Sequence, residues 1–135
     1  VVTTEVPGLA EALRRTGLEV ITDLHLTDGT QRTATVLLPD AIGTLAMKAL
    51  VRTVRTERRD AEDLWRCLEI AAADGIEPSA FDATATLRHL RAALWRELGP
   101  DGPAATALTH DLQPEPAARL RTRLRALLTE VVGAA

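Results

Sequence analysis

Residues 18–38 decide the fold; they read LEVITDLHLTDGTQRTATVLL. In the first part apolar and polar residues alternate, so Leu18, Val20, Leu24 and Leu26 share one face of an extended chain. Residues 32–38 alternate again, and the TDGT segment between the two parts is a turn signal. The stretch therefore predicts a β-hairpin. Because two strands alone are only marginally stable, its apolar face needs the later helices or further strands as cover.

The rest of the chain has the spacing of helices separated by glycine and proline. The predicted helices cover residues 9–15, 41–58, 60–73, 79–98, 104–110 and 117–132. We expect Asp40 and Asp60 to cap the second and third of these, and Ser79 with Asp82 to form a capping arrangement at the fourth. The fold class predicted is α+β: one N-terminal hairpin followed by a bundle of about four helices. Residues 1–135 contain no linker long enough to divide them, so they form one domain.

Composition excludes several classes of function. The chain has 46% hydrophobic residues and a formal net charge of −3, which argues against nucleic-acid binding through overall charge. Its one cysteine, Cys67, cannot form an intramolecular disulfide, which fits a cytoplasmic protein. The three histidines and Cys67 have no zinc-site spacing, so we predict no metal site. No apolar run approaches the ~20 residues of a membrane span.

Lys48 is the only lysine, whereas the chain has fifteen arginines. Arginine evidently serves at ordinary surface positions here, so a single lysine suggests a position that needs an ammonium group. On a helix, Lys48, Arg52, Arg55 and Arg59 would share one narrow face, which we call the cationic stripe. Such cations repel one another unless carboxylates or phosphates lie opposite. The alternative is a solvated stripe whose side-chain stems cover apolar neighbours.

Asp60 and Asp63 allow two interpretations. At the start of a helix, Asp60 would act as a cap, and the positive end of the helix dipole would stabilise the negative charge of Asp63. Asp63 also lies near the Cys67 side of the helix, away from its most polar face. There it could meet Lys48 across a helix–helix contact, and we predict that the two side chains approach each other at a partly buried cleft.

Three segments together resemble a known family. They are residues 37–39 (LLP), residues 45–50 (LAMKAL, with Lys48) and residues 58–68 (RRDAEDLWRCL, with Asp60 and Asp63). This order is similar to the second half of AbiEii/AbiGii-type nucleotidyltransferase-like proteins, which include toxins of type IV toxin–antitoxin systems. The resemblance implies that Lys48 approaches nucleotide phosphates, that Asp60 or Asp63 supports the site, and that Arg52 and Arg59 add positive potential. It also implies NTP and Mg²⁺ for a complete member, and a cognate antitoxin as a possible partner.

The family's metal site is where this sequence departs from the pattern. That site needs a Gly-Ser or Gly-Gly turn followed by a strand with Asp-x-Asp, and neither motif occurs here. We therefore expect the chain to be the C-terminal part of a larger nucleotidyltransferase-like protein, inactive as given, with a hairpin that exposes an apolar face or an open edge. The alternative is a small cytoplasmic helical module that binds a partner protein through its hairpin and helical surface.

Overall fold

The computed structural model of the chain describes residues 8–52 and 57–134. Helix α1 precedes a two-stranded antiparallel sheet, and five α-helices and one 3-10 helix follow it in the described residues. The elements are α1 (Leu9–Arg14), β1 (Leu18–His25), β2 (Gln31–Leu38), α2 (Ala41–Val51), α3 (Arg58–Ala73), the 3-10 helix (Pro78–Phe81), α4 (Ala85–Leu98), α5 (Pro103–Thr109) and α6 (Pro114–Val132). The predicted α+β class is confirmed, with five α-helices after the hairpin where about four were expected.

The hairpin register follows from its turn. The Gly29 N–H donates to the Leu26 carbonyl (3.0 Å) and the Leu26 N–H donates to the Thr30 carbonyl (2.9 Å). Gly29 has a φ of 82°, a left-handed conformation that favours glycine. Strand pairing then runs from His25 opposite Gln31 to Leu18 opposite Leu38. Since hydrogen-bonded and non-hydrogen-bonded pairs alternate, the even-numbered residues of β1 bond to β2 and the odd-numbered ones direct their backbone groups outward.

The hydrophobic core lies among the helices. Its large, fully buried side chains are Ile42, Leu45, Leu64, Leu68, Phe81, Leu87, Leu90, Leu94, Leu98, Leu124, Leu127 and Leu128. The hairpin contributes no buried residue, and only Val20, Thr22 and Ala34 of its strands are half-buried. The helices therefore stabilise one another without covering the sheet. Among the described residues, no helix is both long and apolar enough to cross a membrane.

Helix α2 begins where it was predicted. Asp40 accepts a hydrogen bond from the Gly43 N–H (2.7 Å), so its predicted capping role is confirmed. The helix ends at Val51, earlier than the predicted residue 58. Residues 53–56, which include Arg55 of the cationic stripe, lie outside the described residues. Arg58 belongs to the next helix, because α3 begins there.

Two predicted caps are wrong. Helix α3 begins two residues before Asp60, with Glu57 at the N-cap position, so Asp60 lies inside the first turn. The predicted helix 79–98 is divided: residues 78–81 form the 3-10 helix, and α4 begins only at Ala85. Thr84 is the actual cap, since its hydroxyl accepts from the Leu87 N–H (3.1 Å). Pro78 occupies the first position of the 3-10 helix, where proline is favourable. The i→i+3 hydrogen bonding of that helix does not continue beyond Phe81 into α4.

Candidate functional site

The Lys48 ammonium and the Asp63 carboxylate form an ion pair between α2 and α3. Lys48 Nζ donates to Asp63 Oδ2 at 2.8 Å, and the two side chains are 37% and 27% exposed. The predicted approach of these residues at a partly buried position is therefore confirmed. Sequence could find it because α2 and α3 are consecutive helices, and consecutive helices joined by a short connection usually pack as neighbours.

Several positive groups act on Asp63. The hydrogen bond from Lys48 lowers the pKa of the Asp63 carboxyl below its ordinary value, against the opposing effect of partial burial. The charges of Lys48, Arg59 and Arg66 lower this pKa further, and Arg66 Nη1 lies 3.7 Å from Asp63 Oδ1. Asp63 is thus a carboxylate at neutral pH, and the negative group that Lys48 requires is supplied by the protein itself.

Arg52 is separated from this pair. Its side chain is 1% exposed and points into the helical core, where Nε donates to Glu97 Oε2 at 3.1 Å and Nη1 donates to the Glu57 carbonyl at 2.9 Å. The predicted role of Arg52 in adding positive potential to a nucleotide site is not supported by this position, because Glu97 already neutralises it. In the described part of the cationic stripe, Lys48 pairs with the Asp63 carboxylate, and Arg52 pairs with the Glu97 carboxylate and the Glu57 carbonyl.

Glu97 is the buried partner of Arg52, and it was not predicted from the sequence. It is buried, although glutamate is seldom buried without a partner. A signal was present: Glu97 follows Leu90 and Leu94 by seven and three residues, so helical spacing places it on the apolar face of α4. An acidic residue on such a face indicates a buried cation, but sequence alone could not name Arg52, 45 residues away.

The other two predicted site residues lie apart from the Lys48–Asp63 contact. Asp60 is half-buried in the first turn of α3, and its Oδ2 atom is buried without a hydrogen-bond partner. Within the described residues no hydrogen bond or ion pair joins Asp60 to Lys48. Arg59 is exposed on α3 and reaches the pair only through its charge. An external anion would reach Lys48, with the charges of Arg59 and Arg66 nearby, only if it shared the ammonium group with Asp63.

A groove of about 560 Å³ lies one helical turn from this ion pair. Its lining is Thr16, Gly17, Leu18, Leu38, Pro39, Asp40, Ala41, Thr44, Cys67, Ile70 and Asp74. Thr44 precedes Lys48 by four residues and Cys67 follows Asp63 by four, so the groove and the ion pair lie along the same α2–α3 junction. Burial raises the pKa of the Cys67 thiol, so this side chain is a protonated core residue rather than a nucleophile.

One face of the hairpin is an uncovered apolar surface, which we call the apolar face. Its exposed side chains are Leu18, Leu24, Leu26, Val36 and Leu38, between 38% and 64% exposed. At the base of the hairpin this face continues into the groove, where Ile70 is also exposed. The predicted uncovered apolar face is therefore confirmed. Surfaces of this kind commonly mark interaction sites in folded proteins.

The acid sensitivity of the Lys48–Asp63 pair can be predicted. Because the folded pKa of Asp63 lies below its unfolded value, the pair's stabilisation is present above about pH 4 and is lost as pH falls through the folded pKa. Lys48→Met should raise the Asp63 pKa and reduce the free energy of unfolding at pH 7 by about 0.2–1 kcal/mol, since the pair is partly exposed. Carboxyl-carbon NMR titration and urea unfolding measure both quantities.

Arg66→Met is the matched control for this titration. Arg66 is 70% exposed and lies farther from Asp63, so its removal should change the Asp63 pKa less than Lys48→Met does. An unchanged Asp63 pKa in Lys48→Met would show that the ion pair does not form in solution.

The described residues contain no group of three histidine, cysteine, aspartate or glutamate side chains placed to hold a metal ion. No family model matches the chain, and comparison with curated proteins and with solved structures gives no significant match. The resemblance to AbiEii/AbiGii-type proteins stays a prediction.

Proposed function

We propose that this chain is a protein-interaction module and that its projecting hairpin is the docking element. The observation that carries the proposal is the apolar face, which the helices leave uncovered. Of the eleven exposed large apolar side chains among the described residues, nine lie within residues 9–38. Apolar surface is therefore concentrated around the hairpin. Each Å² that a partner covers there would contribute about 25 cal/mol of hydrophobic stabilisation.

The backbone of the hairpin supports one mode of docking, the addition of a β-strand. Both strands are edge strands in the described sheet, and their odd-numbered residues direct N–H and C=O groups outward. An extended segment with alternating apolar residues would bond to these groups and continue the apolar face. We place this activity in the cytoplasm, where Cys67 stays reduced. The family resemblance adds a cognate antitoxin as one candidate partner.

Site-specific photo-crosslinking in the organism that encodes the chain tests this proposal. A photoreactive residue at Leu24, on the apolar face of β1, should give one dominant crosslinked product. The same residue at His89, exposed on α4, should not. The captured protein, once purified, should bind the chain in calorimetry and lose affinity for Leu24→Glu. Equal crosslinking at Leu24 and His89 would contradict a docking role for the hairpin.

A second candidate function is nucleotide binding at Lys48, as a nucleotidyltransferase-like protein of the AbiEii/AbiGii type. The supporting observation is the 2.8 Å contact between Lys48 and Asp63, in the helices and positions that the resemblance indicates. Lys48 would turn from Asp63 towards a phosphate, and Asp63 would keep the ammonium charged and aimed. NTP and Mg²⁺ are the ligands expected of a complete family member.

Calorimetric titration with Mg²⁺·ATP and Mg²⁺·GTP tests nucleotide binding. We expect binding to the unmodified chain to weaken at least tenfold in Lys48→Met, since a phosphate contact to a charged group contributes about 1.5–3 kcal/mol. Arg66 is also a nearby cation, but its side chain is more exposed, so Arg66→Met should weaken nucleotide binding less than Lys48→Met does. Equal affinity in Lys48→Met and the unmodified chain would remove Lys48 from any nucleotide site.

A further inference from the structure

We infer that the partner strand is β1 of a second copy of this chain, so that two hairpins form one four-stranded antiparallel sheet. This inference rests on the proposed function, namely that the hairpin is a docking element. The facing pairs would be Leu18 with Leu26, Glu19 with His25, Val20 with Leu24, Ile21 with Asp23, and Thr22 with its own counterpart on the two-fold axis. Such an interface is isologous, and it closes at two copies.

Within residues 8–52 and 57–134, no strand bonds to the outer edge of β1. Its outward backbone groups belong to Glu19, Ile21, Asp23 and His25, and all four residues are exposed. In the proposed pairing these odd-numbered residues face one another, so every inter-copy backbone bond uses a group that β2 does not use. The internal ladder between β1 and β2 is left intact.

Charge selects the register. The proposed pairing places each Glu19 opposite a His25 and leaves no two carboxylates facing each other. A shift of two residues in one direction places each Glu19 opposite an Asp23, and a shift in the other direction places the two Asp23 side chains opposite each other. Like charges directly opposite are destabilising in a sheet. A shift by one residue would place apolar side chains on the polar face.

The same register joins the apolar side chains. The apolar face becomes continuous across four strands, because Leu18 faces Leu26 of the other copy and Val20 faces its Leu24. The two-fold symmetry repeats each of these contacts once. Ile21 is the most exposed large apolar side chain of the described residues, at 77%. In this register its diagonal neighbour is the other Ile21, so each would cover part of the other. Strand β2 lacks this self-complementarity, since its one charge, Arg32, finds no acidic partner on a second β2.

Light scattering coupled to size-exclusion chromatography tests the assembly with the 135-residue chain. We expect twice the 14.5 kDa mass of one copy. Ile21→Pro should give the mass of one copy, because proline removes an outward N–H without breaking the β1–β2 ladder. Thr35→Pro is the matched control. Thr35 pairs with Ile21 and directs its N–H to the outer edge of β2, so this variant should keep the double mass.

Disulfide formation tests the register itself. In a Cys67→Ala background, Thr22→Cys should form an inter-copy disulfide on mild oxidation, because facing residues of a non-hydrogen-bonded pair have Cα atoms about 4.5 Å apart. Ala34→Cys, which pairs with Thr22 on the same face, should not. Three strand spacings would separate it from its counterpart by about 14 Å, too far for a disulfide. A two-copy mass without the Thr22→Cys disulfide would overturn the proposed pairing.

The two proposals fail in different ways. A chain that keeps the mass of one copy up to millimolar concentration overturns pairing with a second copy. If photo-crosslinking at Leu24 then captures a different protein specifically, the hairpin remains a docking element with another occupant. If the crosslinker at Leu24 captures nothing specific, the interaction function is contradicted as well.

Discussion

Replacement of Arg52 with alanine is expected to lower the free energy of unfolding by about 3–5 kcal/mol, a large part of a small domain's stability. The destabilisation comes from two polar groups that each lose a hydrogen-bond donor. Glu97, 5% exposed, would lose the cation that donates a hydrogen bond to it and would keep only Arg96, whose Nε lies 3.7 Å from Glu97 Oε1. The Glu57 carbonyl at the start of α3 would also lose its donor. Arg52 connects α2, α3 and α4, so its loss should loosen all three. Chemical denaturation followed by circular dichroism measures the change.

A double substitution and a surface control separate charge from packing. Arg52→Met combined with Glu97→Leu removes both charges and should recover much of the loss, because a buried ion pair is often replaceable by apolar side chains. Arg58→Ala is the control: Arg58 pairs with Glu62 and Asp111 at the surface, and its loss should cost no more than about 1 kcal/mol. Arg52→Ala within 0.5 kcal/mol of the unmodified chain would mean that the buried pair carries no stability.

Phe81→Ala should be nearly as destabilising, at about 3–5 kcal/mol. Phe81 is the only phenylalanine of the chain and is fully buried at the end of the 3-10 helix. This short element is held between α4 and the end of α6, where Arg91 donates to the Pro78 carbonyl (2.6 Å) and Trp95 donates to the Gly133 carbonyl (3.1 Å). The bonded backbone should limit collapse around the vacated space, so the cavity would persist.

Thermal unfolding of Phe81→Ala beside two comparison variants tests this prediction. Phe81→Leu keeps most of the apolar volume and should lose clearly less stability than Phe81→Ala. Leu112→Ala removes an exposed apolar side chain and should change the free energy of unfolding by about 0.5 kcal/mol or less. If Phe81→Ala behaves like Leu112→Ala, Phe81 does not anchor the 3-10 helix in the core.

Only part of the candidate site could be predicted from the sequence, because some of its contacts join residues that lie far apart in the chain. Lys48 and Asp63 are 15 residues apart on consecutive helices, so helical spacing was enough to indicate that they meet. The same spacing placed Arg52 beside Lys48 on a cationic stripe. It could not show that α4 packs against α2 and brings Glu97 to Arg52, because that contact depends on the whole bundle. Whether Lys48 binds a nucleotide is still a prediction.

Sequence by itself determined the elements whose signals are local. The hairpin follows from a two-residue alternation around the Gly29 turn, and the start of α2 follows from Asp40, whose side chain reaches a backbone N–H three residues on. Tertiary structure alone decided that Asp60 lies inside a helix and that Arg52 is buried against Glu97. Alternation and capping depend on neighbouring residues, whereas burial depends on which distant surfaces the packed helices bring together.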